Sequence, residues 1–198
     1  MVRRKALRAN KDEPKITALV SINIDDNIQL RSFEVGDAQE LFDTINASRK
    51  HLHPWLDWVD KTIKPEHSLE FIQRSQQKAH NQEGLDLCIV CDNKIIGGIG
   101  LHHWEQQLKR AEIGYWISEG YEGKGIMSKS LTAFVTFLFD KLGLNKIEIH
   151  FVSANERSAR IAKQLGFKIE GIIRQSILRN GMPEDVVVAG LLKSERTV

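Results

Sequence analysis

The stretch Trp116-Ile-Ser-Glu-Gly-Tyr-Glu-Gly-Lys-Gly-Ile-Met127 decides how this sequence is interpreted. An apolar strand pattern leads into a glycine pair, Gly123 and Gly125, and a helical pattern begins directly afterwards. Glycine permits φ > 0 and lets a ligand approach the backbone closely. The first turn of a helix leaves N–H groups unpaired at the positive end of its dipole. The stretch therefore predicts an anion-binding loop that suits a pyrophosphate, although a glycine pair alone is also typical of an ordinary turn.

The chain around this loop alternates between strand and helix patterns in the order ββ-α-α-βββ-α-β-α-ββ. Apolar residues at helical spacing follow the loop, and short apolar runs with turn residues between them mark the strands. Because helices connect the later strands, at least one neighbouring pair should be parallel within a mixed sheet. The fold class is α/β (α+β). The predicted strands are 16–24, 27–33, 85–91, 94–104, 109–118, 146–152, 167–177 and 185–192.

Composition fits one globular domain and excludes several function classes. The chain has 198 residues, 41% of them hydrophobic, 27% charged, and a formal net charge of +2. Such a charge is too small to indicate nucleic acid as the main partner, and no apolar run approaches the roughly 20 residues that span a bilayer. We expect residues 1–15 to form a basic, disordered arm before a domain at 16–198. The alternative is a tether towards RNA or an acidic protein.

Two cysteines, Cys88 and Cys91, have the C-x-x-C spacing of redox and zinc sites. They lie inside an apolar strand pattern, where residues three apart point to opposite faces, so their sulfurs should diverge. Two structural thiols in a reducing compartment are therefore expected, and no metal site is predicted.

A second motif lies about thirty residues after the loop and adds to the evidence for a ligand site. Val152 to Phe167 contains a strand end, Asn155, Ser158 and a helix that ends in Leu165-Gly-Phe167. Together the two blocks resemble the GNAT superfamily of acetyl-CoA-dependent N-acetyltransferases. The loop is similar to the superfamily pattern Q/R-x-x-G-x-G/A, except that Gly120 stands at the Q/R position. The second block is similar to its N-x-x-S…L-G-F pattern.

The resemblance extends to the RimL-type ribosomal-protein-serine acetyltransferases. It is carried by Ile28-Gln-Leu-Arg31, Trp55-Leu-Asp-Trp58, Ile113-Gly-Tyr-Trp116, Gly123-Lys-Gly-Ile-Met-Ser128 and Asn180-Gly181. It implies a GNAT-like domain with a mostly antiparallel, twisted sheet of about seven strands that is splayed at the cofactor cleft. It also implies a cytoplasmic enzyme, often a homodimer, that acetylates the N-terminal amine of a ribosomal protein. Alternatives are a small-amine acetyltransferase, a non-catalytic acyl-CoA-binding module, and a ribosome- or RNA-associated accessory protein.

The same resemblance assigns the residues around acetyl-CoA. The pyrophosphate would be held by backbone N–H groups of Gly123, Lys124, Gly125, Ile126 and Met127. The pantetheine arm would lie between the strands 109–118 and 146–152, with Asn155 bonded to it. The Ile117 N–H would polarise the thioester carbonyl and stabilise the oxyanion.

This sequence matches the catalytic side chains of the superfamily only in part. Many members place a tyrosine near the sulfur where this sequence has Ala162, so Ser158 is the candidate there. An alternative role for Ser158 is to stabilise the first turn of its helix. RimL-type enzymes have a carboxylate on the strand after Leu-Gly-Phe, but the aligned position here is Ile177. Glu112 is a possible substitute as general base.

Other side chains are candidates for the acceptor side of the cleft. Trp55, Trp58 and Tyr115 are predicted to contact the acceptor, and His102 and His103 are candidates to face the cleft. The spacing of the two tryptophans also suits plain packing of a helical face.

Overall fold

Eight strands form one mixed sheet at the centre of the protein. The structure is a computed structural model that describes residues 16, 19–179 and 181–196, so the predicted arm at 1–15 lies outside the described residues. The strands are β1 (Ser21–Asn23), β2 (Ile28–Ser32), β3 (Leu85–Cys91), β4 (Lys94–Glu105), β5 (Arg110–Ile117), β6 (Lys146–Val152), β7 (Lys168–Arg179) and β8 (Met182–Leu192).

The strands lie in the order β1-β2-β3-β4-β5-β6-β8-β7. β5 and β6 run parallel, and the other neighbouring strands in the described part of the chain are antiparallel. The predicted mixed, mostly antiparallel sheet is confirmed, and its eight strands match the number in the sequence pattern, where the resemblance implied about seven. At the β3–β4 turn, Asp92 and Asn93 have φ of 50° and 61°, the left-handed pair that a tight two-residue hairpin requires.

The described residues contain five α-helices. They are α1 (Ala38–Ala47), α2 (Arg49–Leu52), α3 (Pro65–His80), α4 (Ile126–Asp140) and α5 (Glu156–Gln164). Pro65 begins α3, where its missing N–H would have no intrahelical partner anyway. None of the helices in these ranges has the length and apolar character that a bilayer crossing requires.

The helices cover opposite faces of the sheet. On one face, the buried stripe of α4, including Leu131, Phe134 and Leu138, packs in one cluster with residues of β2 to β6 and β8, and α5 contributes Ala162. We refer to this side as the α4 face. On the other side, the α1 face, Leu41 and other residues of the first three helices form a second cluster.

The two cysteines of β3 lie on opposite faces. Cys88 packs in the cluster of the α1 face, Cys91 packs in that of the α4 face, and both thiols are free. Burial raises the pKa of the Cys88 thiol to about 12, so this side chain stays protonated and unreactive at neutral pH. The structure therefore matches the expected pair of structural thiols.

Candidate active site

The parallel strands β5 and β6 separate halfway along their length. Their pairing runs from Arg110 opposite Lys146 to Ile113 opposite Ile149 and then ends. Beyond that point β5 stays paired with β4, and β6 stays paired with β8. A gap therefore opens inside the sheet, as predicted for a splayed cleft. We refer to the point after Ile113 and Ile149 as the fork.

The edge of β5 presents backbone groups to this gap. Ser118 N donates to Ile96 O of β4 at 2.8 Å, and successive residues of a strand direct their amides to opposite sides. Tyr115 and Ile117 therefore direct their N–H groups towards β6, which has already diverged. Ile117, the predicted oxyanion donor, lies at the far end of this edge.

The glycine loop lies between the end of β5 and the first turn of α4. Gly123 and Gly125 have φ of 70° and 74°, a left-handed conformation that disfavours other residues. A Cβ added at either glycine would meet no atom within 4 Å, so the backbone is open to a ligand. The first bond of α4 joins Lys129 N to Gly125 O at 3.1 Å. The amides of Ile126 and Met127 consequently have no intrahelical partner and are available to an anion.

Helix α5 brings Ser158 to the α4 face of the gap. Asn155 caps this helix, because its Oδ1 accepts a hydrogen bond from the Ser158 N–H at 3.1 Å. The side-chain oxygen of Asn155 is thus used in capping. The side-chain nitrogen of Asn155 remains available to a ligand. Sequence reasoning assigned Asn155 to the cofactor arm and did not predict the capping role.

Tyr115 lies next to Ser158. Its hydroxyl is buried and has no hydrogen-bond partner among the described residues. Burial raises the pKa of Tyr115, and the nearby Ser158 side chain lowers it by a smaller amount. The two hydroxyls therefore lie on the α4 face of the gap. Trp55 and Trp58, the other predicted acceptor contacts, lie on the α1 face.

Glu112 lies on the α1 face of β5, as the alternation of the strand predicts. Its carboxylate Oε2 is 3.0 Å from His103 Nδ1 of β4 and 3.3 Å from His150 Nδ1 of β6. His102 also lies on this face, with its imidazole over Gly114 and Gly100. Within the described ranges, no group of three or more His, Cys, Asp or Glu side chains is arranged to hold a metal ion.

Sequence reasoning missed His150. A signal was present, because Lys146, Glu148 and His150 alternate with apolar residues along β6 and must share one face. The parallel register then sets Glu148 beside Glu112. The pattern indicates a polar stripe across the α1 face, but the proximity of His150 to Glu112 depends on where the two strands diverge.

The two tryptophans have different surroundings. Trp58 packs edge-to-face on Trp116 of β5, with ring centroids 5.8 Å apart, so packing accounts for its position. The guanidinium of Arg179, at the end of β7, lies 5.1 Å from the Trp55 ring centroid. Trp55 therefore joins the segment after α2 to the β7–β8 hairpin, along one side of the α1 face.

The position of the missing family carboxylate lies on the same hairpin. Ile177 on β7 pairs in register with Glu184 on β8. Glu184 accepts hydrogen bonds from Arg179 Nε at 3.1 Å and Nη2 at 2.6 Å. The carboxylate next to Ile177 is therefore held by the guanidinium of Arg179.

Glu122, directly before the glycine pair, links the two sides of the cleft. Its carboxylate lies 2.9 Å from His51 Nε2 of α2 and 2.9 Å from Arg157 Nη1 of α5. The Glu119 N–H, three residues earlier, donates to the Ser48 hydroxyl at 3.2 Å. These contacts fix the approach to the glycine loop against elements from both faces of the sheet.

Comparison with known sequences agrees with this geometry. The sequence profile of the acetyltransferase (GNAT) domain matches residues 27–168. The putative ribosomal N-acetyltransferase YdaF of Bacillus subtilis (strain 168) is 30% identical over 178 residues, which cover 89% of this chain and 97% of that protein. Both findings confirm the resemblance that the two motifs predicted.

Two solved structures are similar over most of their length. One is RimL, a ribosomal L7/L12 alpha-N-protein acetyltransferase in complex with coenzyme A, with a TM-score of 0.85 at 25% identity over 87% of this chain and 98% of that chain. The other is the microcin C7 self-immunity acetyltransferase MccE in complex with acetyl-CoA and AMP, with a TM-score of 0.82 at 25% identity over 85% and 94%. The predicted fold class is confirmed by these neighbours.

Proposed function

Because this chain belongs to the acetyltransferase (GNAT) domain family, we propose that it transfers an acetyl group from acetyl-CoA to the N-terminal α-amine of a protein. One observation carries the proposal. The fork opens the sheet between β5 and β6, and the free amides at the start of α4 lie beyond it. Ser158 lies on one face of the sheet and Glu112 on the other. A thioester reaching through the gap would therefore meet an amine that approaches from the α1 face.

The chain offers a fitting set of groups for coenzyme A. The backbone around Gly123, Lys124, Gly125, Ile126 and Met127 suits a diphosphate, since its N–H groups and the α4 dipole favour negative charge. The unpaired edge of β5 at Tyr115 and Ile117 suits the amide-bearing pantetheine arm, and Asn155 keeps a side-chain amide free for it. We assign the Ile117 N–H to the thioester carbonyl oxygen, where negative charge develops during attack.

The reaction needs one proton acceptor and one proton donor. The amine nitrogen forms a bond to the acetyl carbon, and the bond from that carbon to sulfur breaks. Glu112 takes the proton that the amine nitrogen loses, since it lies beside the fork on the α1 face, where its neighbour Glu148 is already bound by Lys146. Ser158, on the α4 face, donates a hydrogen bond to the departing thiolate, whose conjugate acid has a pKa of about 8.5.

The acidity of amines favours an N-terminus over a lysine as acceptor. An α-amino group has a pKa of about 7.7–8.0, so roughly a tenth of it is neutral at pH 7. A lysine amine near 10.4 is neutral in only about four molecules in ten thousand. A relative named a putative ribosomal N-acetyltransferase and a neighbour named an alpha-N-protein acetyltransferase support a ribosomal protein as the substrate.

Two peptides test this choice of acceptor. We expect thiol release from acetyl-CoA with a Ser-initiated peptide whose lysines are blocked, and little release with the same peptide carrying a blocked terminus and free lysines. Mass spectrometry of the products locates the acetyl group. Reaction only at lysine would exclude the α-amine assignment, and reaction only with free polyamines or amino acids would replace it by a small-amine acetyltransferase.

Ser158→Ala tests the role of the hydroxyl beside the sulfur. We expect kcat to fall by about tenfold or more, because one hydrogen bond to a charged group contributes about 1.5–3 kcal/mol. The affinity for coenzyme A, measured by calorimetry, should change little, since the capping bond uses the backbone N–H of Ser158 and not its hydroxyl. Ser153→Ala, at an exposed position just before α5, is the matched control and should keep wild-type kcat. Unchanged turnover in Ser158→Ala would show that the hydroxyl has only a local structural role.

A further inference from the structure

The α1 face of the sheet is covered unevenly. The buried cluster on this face takes its strand residues from β3 and β4, and none of the described residues of β6, β7 or β8 belongs to it. Three large apolar side chains of the β7–β8 hairpin are exposed, namely Ile173 at 49%, Ile177 at 38% and Met182 at 66%. We refer to these three residues as the hairpin patch. Neighbouring exposed apolar side chains of this size are typical of a binding surface.

The strand register connects the hairpin patch to the fork. Val152 lies two residues after His150 and pairs with Val186 of β8. Val186 in turn pairs with Ile173 of β7. Because directly opposed residues share a face, these three apolar residues form a row on the same face as His150. Two residues span about 7 Å along a strand and two strand spacings about 10 Å, so Ile173 lies about 12 Å from His150 across the sheet surface.

A fixed aromatic ring borders the far side of the patch. Ile177 and Arg179 are two residues apart on β7 and therefore point to the same face, and Met182 is paired with Arg179. The guanidinium of Arg179 lies 5.1 Å from the Trp55 ring centroid, and the Glu184 carboxylate holds it at 2.6 Å. The apolar surface therefore extends from the row beside the fork to a wall formed by Trp55 and Arg179.

We propose that the hairpin patch binds the second and third residues of the acceptor polypeptide and selects acceptors with apolar side chains at these positions. This inference rests on the proposed function, because it assumes that the acceptor α-amine meets the thioester at the fork on the α1 face. An extended chain advances about 3.3–3.6 Å per residue. The third residue is therefore about 7 Å from the first, and its side chain covers most of the remaining distance to Ile173.

The distribution of charge on this face matches such a segment. Beside the fork the side chains of Glu112 and Glu148 are 23% and 11% exposed, and a positively charged amino terminus is attracted to carboxylates. Further along the same face, the row from Val152 to Ile173 is apolar. An acceptor that carries its charge on the terminal amine and apolar side chains directly after it is complementary to both parts of the surface.

Two Ser-initiated peptides test the inference. They have blocked lysines and differ only at the second and third positions, which are both Leu in one peptide and both Ser in the other. We expect kcat/KM of the wild-type protein to be about tenfold higher for the Leu peptide. Most of the difference should be in KM, because a contact away from the reacting atoms is made equally in the ground state and the transition state.

A pair of double variants locates the selectivity. In Ile173→Thr/Ile177→Thr the ratio of the two kcat/KM values should fall below about threefold, while kcat/KM for the Ser peptide stays within about twofold of wild type. Ile172→Thr/Leu178→Thr is the matched control. Both of its positions are exposed on the same strand, and Ile172 pairs with Val187 of the α4-face cluster. This control should keep the wild-type ratio, and both variants should melt near the wild-type temperature.

Equal kcat/KM of the wild-type protein for the two peptides, or an equal fall of the ratio in both double variants, would overturn the inference while leaving the proposed function standing. Light scattering provides a further test. A wild-type dimer that only Ile173→Thr/Ile177→Thr converts into a monomer, with the peptide ratio unchanged, would assign the patch to a second copy of the chain and overturn the inference. Absence of acetyl transfer to any α-amine would overturn the proposed function itself.

Discussion

Glu112→Gln is expected to lower kcat by about 10²–10³-fold at neutral pH, the largest effect on turnover of any single change in this protein. Positioned general bases contribute rate factors of about 10²–10⁴, and glutamine retains the size of glutamate but cannot accept a proton. The structure brings this carboxylate, and its His103 and His150 neighbours, to the place where β5 and β6 diverge. Steady-state kinetics with acetyl-CoA and a Ser-initiated peptide measures the loss.

Two controls distinguish a lost base from a disturbed fold. In Glu112→Gln, coenzyme A affinity and the melting temperature should stay close to wild type, because glutamine retains the size of glutamate. Glu105→Gln, at an exposed carboxylate on neighbouring β4, should retain wild-type turnover. Wild-type kcat in Glu112→Gln would mean that the amine proton leaves by another route, such as a water chain.

Gly125→Ala is expected to weaken coenzyme A binding by at least about tenfold and to lower the free energy of unfolding by about 1 kcal/mol. Gly125 precedes α4 with φ of 74°, and an L-residue in this region is disfavoured by about 1–2 kcal/mol. The added methyl group would also occupy the open space in front of the loop, where we place the diphosphate. Calorimetric titration with coenzyme A gives the affinity, and denaturant unfolding gives the stability.

Gly120→Ala is the matched control for this prediction. Gly120 lies in the same segment and its added Cβ would also meet no atom within 4 Å, but it does not have a left-handed φ. We expect coenzyme A binding and stability close to wild type in this variant. Equal losses in both variants would indicate that the segment is merely sensitive to change, and full affinity in Gly125→Ala would place the diphosphate elsewhere.

Most of the fold followed from local patterns. The strands Leu85–Cys91 and Lys146–Val152 have the predicted limits, because the first is a mostly apolar run, the second alternates polar and apolar residues, and turn residues bound both. Alternation along β5 correctly placed Glu112 and Trp116 opposite Ile113. The first strand, expected over residues 16–24, is a strand over Ser21–Asn23 in the described part of that range, since strand pairing depends on a partner that the local sequence does not reveal.

The sequence predicted the candidate site only where a single continuous segment forms it. The glycine loop and the start of α4 are contiguous, so their role could be inferred from spacing. His150 meets Glu112, Arg179 stacks on Trp55, and Ser158 meets Tyr115 only through contacts between distant segments. The insertion of β8 between β6 and β7 is likewise set by tertiary packing.

The short parallel ladder has a mechanical consequence. In the described part of the chain, the ladder that joins the β1–β5 side of the sheet to the β6–β8 side pairs four residues of each strand, Arg110–Ile113 and Lys146–Ile149. A ligand that hydrogen-bonds along the open edges adds rungs where the protein itself has none. A bound ligand would then connect two parts of the sheet that the protein itself joins along only half the length of β5 and β6. The sheet would therefore become more rigid when the ligand binds.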